Sequence, residues 1–164
     1  MRILPQLLFA AVAPLAYTQA IGNTPFRFAA LAVIVNNSNP SDNLAAGELR
    51  RLFLGEIREW PNHRHVTIAH GTERDKFELL ALKILQMTSA EYARFLVNLE
   101  YRGQEKLNLK VLNNSRSACK FVLNVPGALA IVLAEEMTSA ECKGSVKAVR
   151  IDGNLPGDSR YKLQ

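Results

Sequence analysis

His70, Gly71, Thr72 and Arg74 are the residues of this sequence whose types and spacing could do chemistry together. Thr72 opens a helical pattern in which Phe77, Leu80, Ala81, Ile84 and Leu85 recur on one face. The first turn of a helix carries unpaired N–H groups and a partial positive charge, and both favour an oxyanion. Gly71 lets the backbone come close and the Thr72 hydroxyl can donate. Arg74 can add a two-pronged, charge-assisted contact, and a protonated His70 a further donor. The same residues also read as a plain helix start, with Thr72 as the N-cap and Asp75 completing it. A carboxylate in that turn satisfies the helix end and repels an anion.

Asn37 and Ser38, with Asn36, stand where the first strand is expected to end. Ligands of open α/β sheets gather outside the carboxyl ends of strands, so these residues are candidates for lining the same cleft. Their alternative is a polar turn before Pro40. Trp60 reads as a core anchor. The serines lack a G-x-S-x-G setting, and His63, His65 and His70 do not fall at metal-ligand spacing. No enzyme, metal or cofactor is expected on those grounds.

The elements that must position these residues follow from the hydrophobic pattern. Phe28 to Val35 is a continuous apolar run, read as a strand buried on both faces in the manner of parallel sheets. Leu44 to Phe53 is expected as a helix with Leu49, Leu52 and Phe53 on its apolar face and Gly55 past its end. Val66 to Ile68 is a short strand. Thr88 and Glu91 form a capping box ahead of a helix that buries Tyr92, Phe95, Leu96 and Leu99. Ser115 to Asn124 is a further helix, stopped by Pro126 and Gly127, and Ala128 to Leu133 a further apolar strand. Val146 to Ile151 alternates as a last strand before the Asp152-Gly153 turn. Met87–Glu91 and Met137–Glu141 are identical pentapeptides, both read as helix starts. Strands alternating with helices make an α/β domain.

Composition sets the surroundings. Of the 164 residues, 48% are hydrophobic and 21% charged, which excludes an intrinsically disordered chain. Met1-Arg2, an apolar run to Tyr17 and Thr18-Gln19-Ala20 have the layout of a signal peptide cut after Ala20. Residues 21–164 would then form one domain, periplasmic or secreted. The net charge of +5 is spread along the chain, without the Lys/Arg blocks of a nucleic-acid surface, and no nucleic acid is expected as a partner. In an oxidising compartment Cys119 and Cys142 are the one pair available for a disulfide; two buried free thiols are the alternative.

Six short segments, taken in order, resemble a known family. They are Val33-Ile-Val-Asn-Asn-Ser-Asn-Pro40, Leu49-Arg-Arg-Leu-Phe-Leu-Gly55, Trp60-Pro61, the helix around Phe77, Val125-Pro-Gly-Ala128, and Ile151-Asp-Gly153 with Pro156 and Tyr161. Together they resemble the periplasmic substrate-binding proteins of phosphate ABC importers. The resemblance implies an α/β fold: a single periplasmic-binding-protein-like (type II) lobe, with a short, mostly parallel sheet flanked by helices. It further implies phosphate or another oxyanion as ligand, and an ABC transporter or another envelope protein as partner. The family's anion-binding turn reads S-G-T; here His70-Gly71-Thr72 keeps the glycine and the threonine. Its two-lobed members are roughly twice this length. A lone lobe leaves a face that an envelope protein, or a second copy in a homodimer, could cover. The second reading is therefore a ligand-free interaction or assembly module.

Overall fold

A computed structural model describes residues 30–71, 80–101, 107–140, 142–144 and 146–163. The expected signal segment lies outside the described residues.

Strand β1 (Leu31–Asn36) is buried along its whole length, as its unbroken apolar run requires. It pairs antiparallel with β5 (Ala128–Leu133) on one side and with β6 (Val146–Ala148) on the other. β3 (Thr67–Gly71) runs parallel to β5 and to β4 (Leu109–Leu112). The sheet order is β4-β3-β5-β1-β6. A two-stranded parallel ribbon joins β2 (Asn43–Leu44) to β7 (Arg150–Ile151). Three of the five strand pairings among the described residues are thus parallel. One expectation that reverses is the direction of β1: an apolar run reports burial on both faces, and says nothing of orientation.

The stretch expected as one strand from Val146 to Ile151 divides at Val149, whose N–H donates to Val33 O at 2.8 Å. β6 stays in the main sheet and β7 leaves it. β4, an edge strand half-open to solvent, carries Lys110 and no clean alternation, and the hydrophobic pattern passes over it. Of the two identical pentapeptides, Thr88–Glu91 caps α2 (Ser89–Tyr101): Glu91 accepts from the Thr88 N–H at 2.6 Å and its own N–H donates to the Thr88 hydroxyl. The second falls at the end of a 3-10 turn, Ala134–Thr138, and starts no helix. An apolar helical face follows the first copy and a bonded cysteine the second.

Helices cover both faces of the sheet. On one, Leu31, Val33, Val35, Ile68, Leu129 and Ile131 pack against α1 (Ala46–Phe53), the π-helical turn Ala81–Leu85 and Tyr92 of α2. On the other, Ala32, Ile34, Ala69, Ala128, Ala130 and Val132 pack against α3 (Ser115–Asn124). Cys119 in α3 is bonded to Cys142, as the oxidising reading expects. At the start of the sheet the Leu31 N–H donates to Leu163 O at 2.8 Å, so both ends of the described chain meet at one rim.

α1 begins under a distant cap. Asp152 accepts the Ala46 N–H through Oδ1 at 3.0 Å and the Lys162 ammonium through Oδ2 at 2.7 Å. Those contacts, the Lys162 bond first, hold its carboxyl below the ordinary 3.8. A carboxyl depressed in the folded state stabilises the protein above its unfolded pKa and loses that contribution as pH falls through the folded value. Asp152→Asn is therefore expected to melt below the parent at neutral pH, with the gap closing in acid. A gap independent of pH in a thermal-melt series would contradict this.

Candidate functional site

The carboxyl ends of β3, β4 and β5 share one rim of the sheet, because these three strands run parallel. β3 ends there with His70 and Gly71, level with Val111 and Leu112 of β4. Thr72 and Arg74, with Asp75 and Phe77, lie outside the described residues.

β4 leads through Asn113 and Asn114 into α3 at that rim. Asn114 is the N-cap and its side chain accepts the Ser117 N–H at 2.9 Å. Ser115, in the first turn, is buried. A helix N-terminus, with its positive dipole end, therefore opens beside the strand that carries Gly71. The sequence pattern gives α3 as a helix without placing it at the site. The signal was present in Asn113-Asn114-Ser115, a polar cluster before an apolar-periodic run. On the other flank, β5 runs into the 3-10 turn, where Glu136 accepts the Leu133 N–H at 3.1 Å and Glu135 is exposed. The rim thus carries helix dipole on the β4 side of β3 and carboxylates on the β5 side.

Asn37 and Ser38 are not at this rim. β1 is antiparallel to β5, and the register pairs Val35 with Leu129 while Thr67 pairs with Ala128. The end of β1 is therefore level with the beginnings of β3 and β5, roughly 15 Å of strand away from Gly71. A common cleft for Asn37, Ser38 and Gly71 is corrected by that geometry. The polar residues there bind the chain to itself. Asn36 Nδ2 donates to Val122 O at 3.0 Å and Leu123 O at 2.8 Å, the open carbonyl end of α3. Its Oδ1 accepts from the Ser38 N–H and hydroxyl. Asn37 Nδ2 donates to Gly144 O, and the Arg64 guanidinium donates to the Ser38 hydroxyl.

Most residues that carry the family resemblance are scaffold of this kind. Trp60 is buried, as expected, and its indole N–H donates to Gly127 O at 2.9 Å. Gly55 takes φ +71° at the end of α1, a left-handed turn that a side chain resists. Ile151, Tyr161 and Leu163 lie in the core, where burial raises the Tyr161 phenol well above its ordinary value. A groove of about 600 Å³, lined in part by Leu54, Glu56, Arg58, Phe95 and Leu107, opens near the amino-end rim instead. Among the described residues no three His, Cys, Asp or Glu side chains could hold a metal ion, and no helix is long and apolar enough to cross a membrane.

No protein-family model matches the sequence, and no curated protein matches it. Solved structures do match the fold. An ABC-type phosphate transport receptor from Vibrio cholerae overlays 77% of this chain at a TM-score of 0.56 and 19% identity. PstS from Borrelia burgdorferi overlays 82% at 0.64 and 12%, and a phosphate-binding protein from Stenotrophomonas maltophilia 78% at 0.60 and 12%. The matches take up 48%, 53% and 40% of those chains, so this chain spans about half the length of the structures it resembles. At these identities the likeness is one of fold alone: the described residues form a mixed α/β architecture similar to part of each of those structures.

Proposed function

We propose that this chain is an exported substrate-binding-protein-like lobe that binds phosphate or a related oxyanion at the end of β3. The signal segment would be removed after Ala20, leaving the lobe periplasmic or secreted. The observation that carries the reading is the meeting, at one rim, of the His70-Gly71 strand end and the N-terminus of α3. Thr72 is the next residue after Gly71 and Arg74 the third, close enough in the chain to serve the same anion. Backbone N–H groups of Gly71 and Thr72, the Thr72 hydroxyl and the Arg74 guanidinium would take the anion, with His70 adding a donor in acid. The fold likeness to phosphate-binding proteins supports the ligand class. The disulfide fits export, since such bonds persist in oxidising compartments.

Calorimetric titration of the mature chain with phosphate and sulfate tests the site. Saturable binding is expected, weakened at least about tenfold in Arg74→Ala through loss of a charge-assisted pair. No heat at millimolar phosphate would remove the binding claim and leave the fold intact.

One observation favours a second reading. Glu135 and Glu136 stand on the flank of β3 opposite α3, where their charge opposes an anion. A lobe that lost its ligand and serves as an assembly module of the envelope, with an ABC transporter component, another envelope protein or a second copy as partner, would tolerate them. Sedimentation of the mature chain separates the readings: self-association without phosphate binding supports the module.

A further inference from the structure

The two faces of the sheet are held by different means. One packs leucine, isoleucine, phenylalanine and tyrosine side chains from β1, β3, β5, α1, α2 and the closing segment. The buried residues of the other are Ala32, Ile34, Ala69, Ala118, Val122, Ala128, Ala130, Val132 and Val146, with the bonded Cys119 and Cys142 among them. Alanine offers one methyl to the core where leucine offers four carbons, so this face gains far less from leaving water. The helix that covers it, α3, is ten residues long. It packs on β1, β3 and β5, with Leu112, Phe121, Val125 and Met137 partly buried beside it. Two cross-links add to that packing: the Asn36 bonds at its carboxyl end and the Cys119–Cys142 bridge at its middle. Cys142 sits on a turn where its N–H and that of Lys143 both donate to Ser139 O, and Asn37 secures the same turn at Gly144.

We propose that α3 and the 134–144 connection form a disulfide-held unit that opens on reduction while the large-residue face stays folded. The reductant is a dithiol. One of its thiolates attacks a protein sulfur, the Cys119–Cys142 bond breaks, and the second thiol resolves the mixed disulfide. Two electrons and two protons pass to the cysteines and the dithiol becomes a disulfide. Both sulfurs are buried, so the attack waits on local opening of the 139–144 turn. The consequence for binding rests on the oxyanion reading above: α3 carries its N-terminus at the candidate rim, and opening withdraws it. The opening itself requires no ligand.

Hydrogen exchange read by mass spectrometry, without phosphate, on the oxidised and dithiothreitol-reduced mature chain tests the opening. Amides of 116–124 and 134–143 are expected to exchange about 100-fold faster after reduction, while those of β1 and α1 change by less than about threefold. Cys119→Ser/Cys142→Ser should show the same pattern without reductant. Equal acceleration everywhere, in either form, would mean the bridge holds the whole domain and would overturn the proposal, as would unchanged exchange in α3. A shifted phosphate affinity with unchanged exchange would also count against it.

Discussion

Among the described glycines, Gly127→Ala is expected to be the most damaging alanine substitution, costing about 3–5 kcal/mol of stability. A methyl built on Gly127 would meet the His65 carbonyl oxygen at 2.2 Å and its carbon at 3.3 Å. Both atoms are backbone, so no side chain can swing aside. The backbone at 127 cannot yield either, because its own carbonyl accepts the Thr67 N–H at 3.0 Å and the Trp60 indole at 2.9 Å. Relieving the clash means parting β3 from β5 at their first rung and unseating Trp60. Urea denaturation should show a large drop in midpoint, or the variant should fail to accumulate as folded protein. Gly47 in α1 is the internal control: nothing lies within 4 Å of a methyl there, and alanine suits a helix. Gly47→Ala is expected to leave stability unchanged or raise it by about 0.5–1 kcal/mol. Equal behaviour of the two variants would refute the packing argument.

The second large effect belongs to Asn36. Its amide closes the carboxyl end of α3 and orders the turn after β1 with one side chain. Asn36→Ala strips the Val122 and Leu123 carbonyls and the Ser38 N–H of their partner in a partly or fully buried setting, an expected loss of about 2–4 kcal/mol. Asn36→Asp is expected to be no better at neutral pH. A carboxylate cannot donate, and it would sit against carbonyls at the negative end of a helix. Some of that loss should return in acid, once the protonated carboxyl can donate again. If Asn36 instead served the ligand, Asn36→Ala would abolish phosphate binding in protein that still melts like the parent, so both measurements are needed on the same preparation.

Asn36 also shows what a sequence can and cannot disclose here. The rule that ligands collect at carboxyl ends of strands holds for strands that run the same way. β1 runs against β5, so its end lies at the rim opposite Gly71. Direction is decided by tertiary pairing, which no local pattern encodes. Elements whose signals are local were legible: the Thr88–Glu91 box, the span of α3 and its Pro126-Gly127 stop, the buried runs of β1 and β5, and the cysteine pair. β4 was not, since an exposed edge strand with a central lysine has no reason to alternate. Of the candidate site, a strand beginning near Val66 could be read from sequence, but neither its continuation through His70 to Gly71 nor the flanking α3 terminus could. The latter arrives there through the parallel register of β3 and β4.

The hydrogen bond from Leu31 to Leu163 has a use beyond stability. It brings the entry and exit of the folded segment together, so the segment can be spliced into a loop of another protein with almost no gap to bridge. Because that junction lies at the rim where β3 ends, the host sequence would emerge on the same rim as Gly71, with β5 between them. Whatever body is joined at either end would therefore be held on the same side of the sheet as the candidate site.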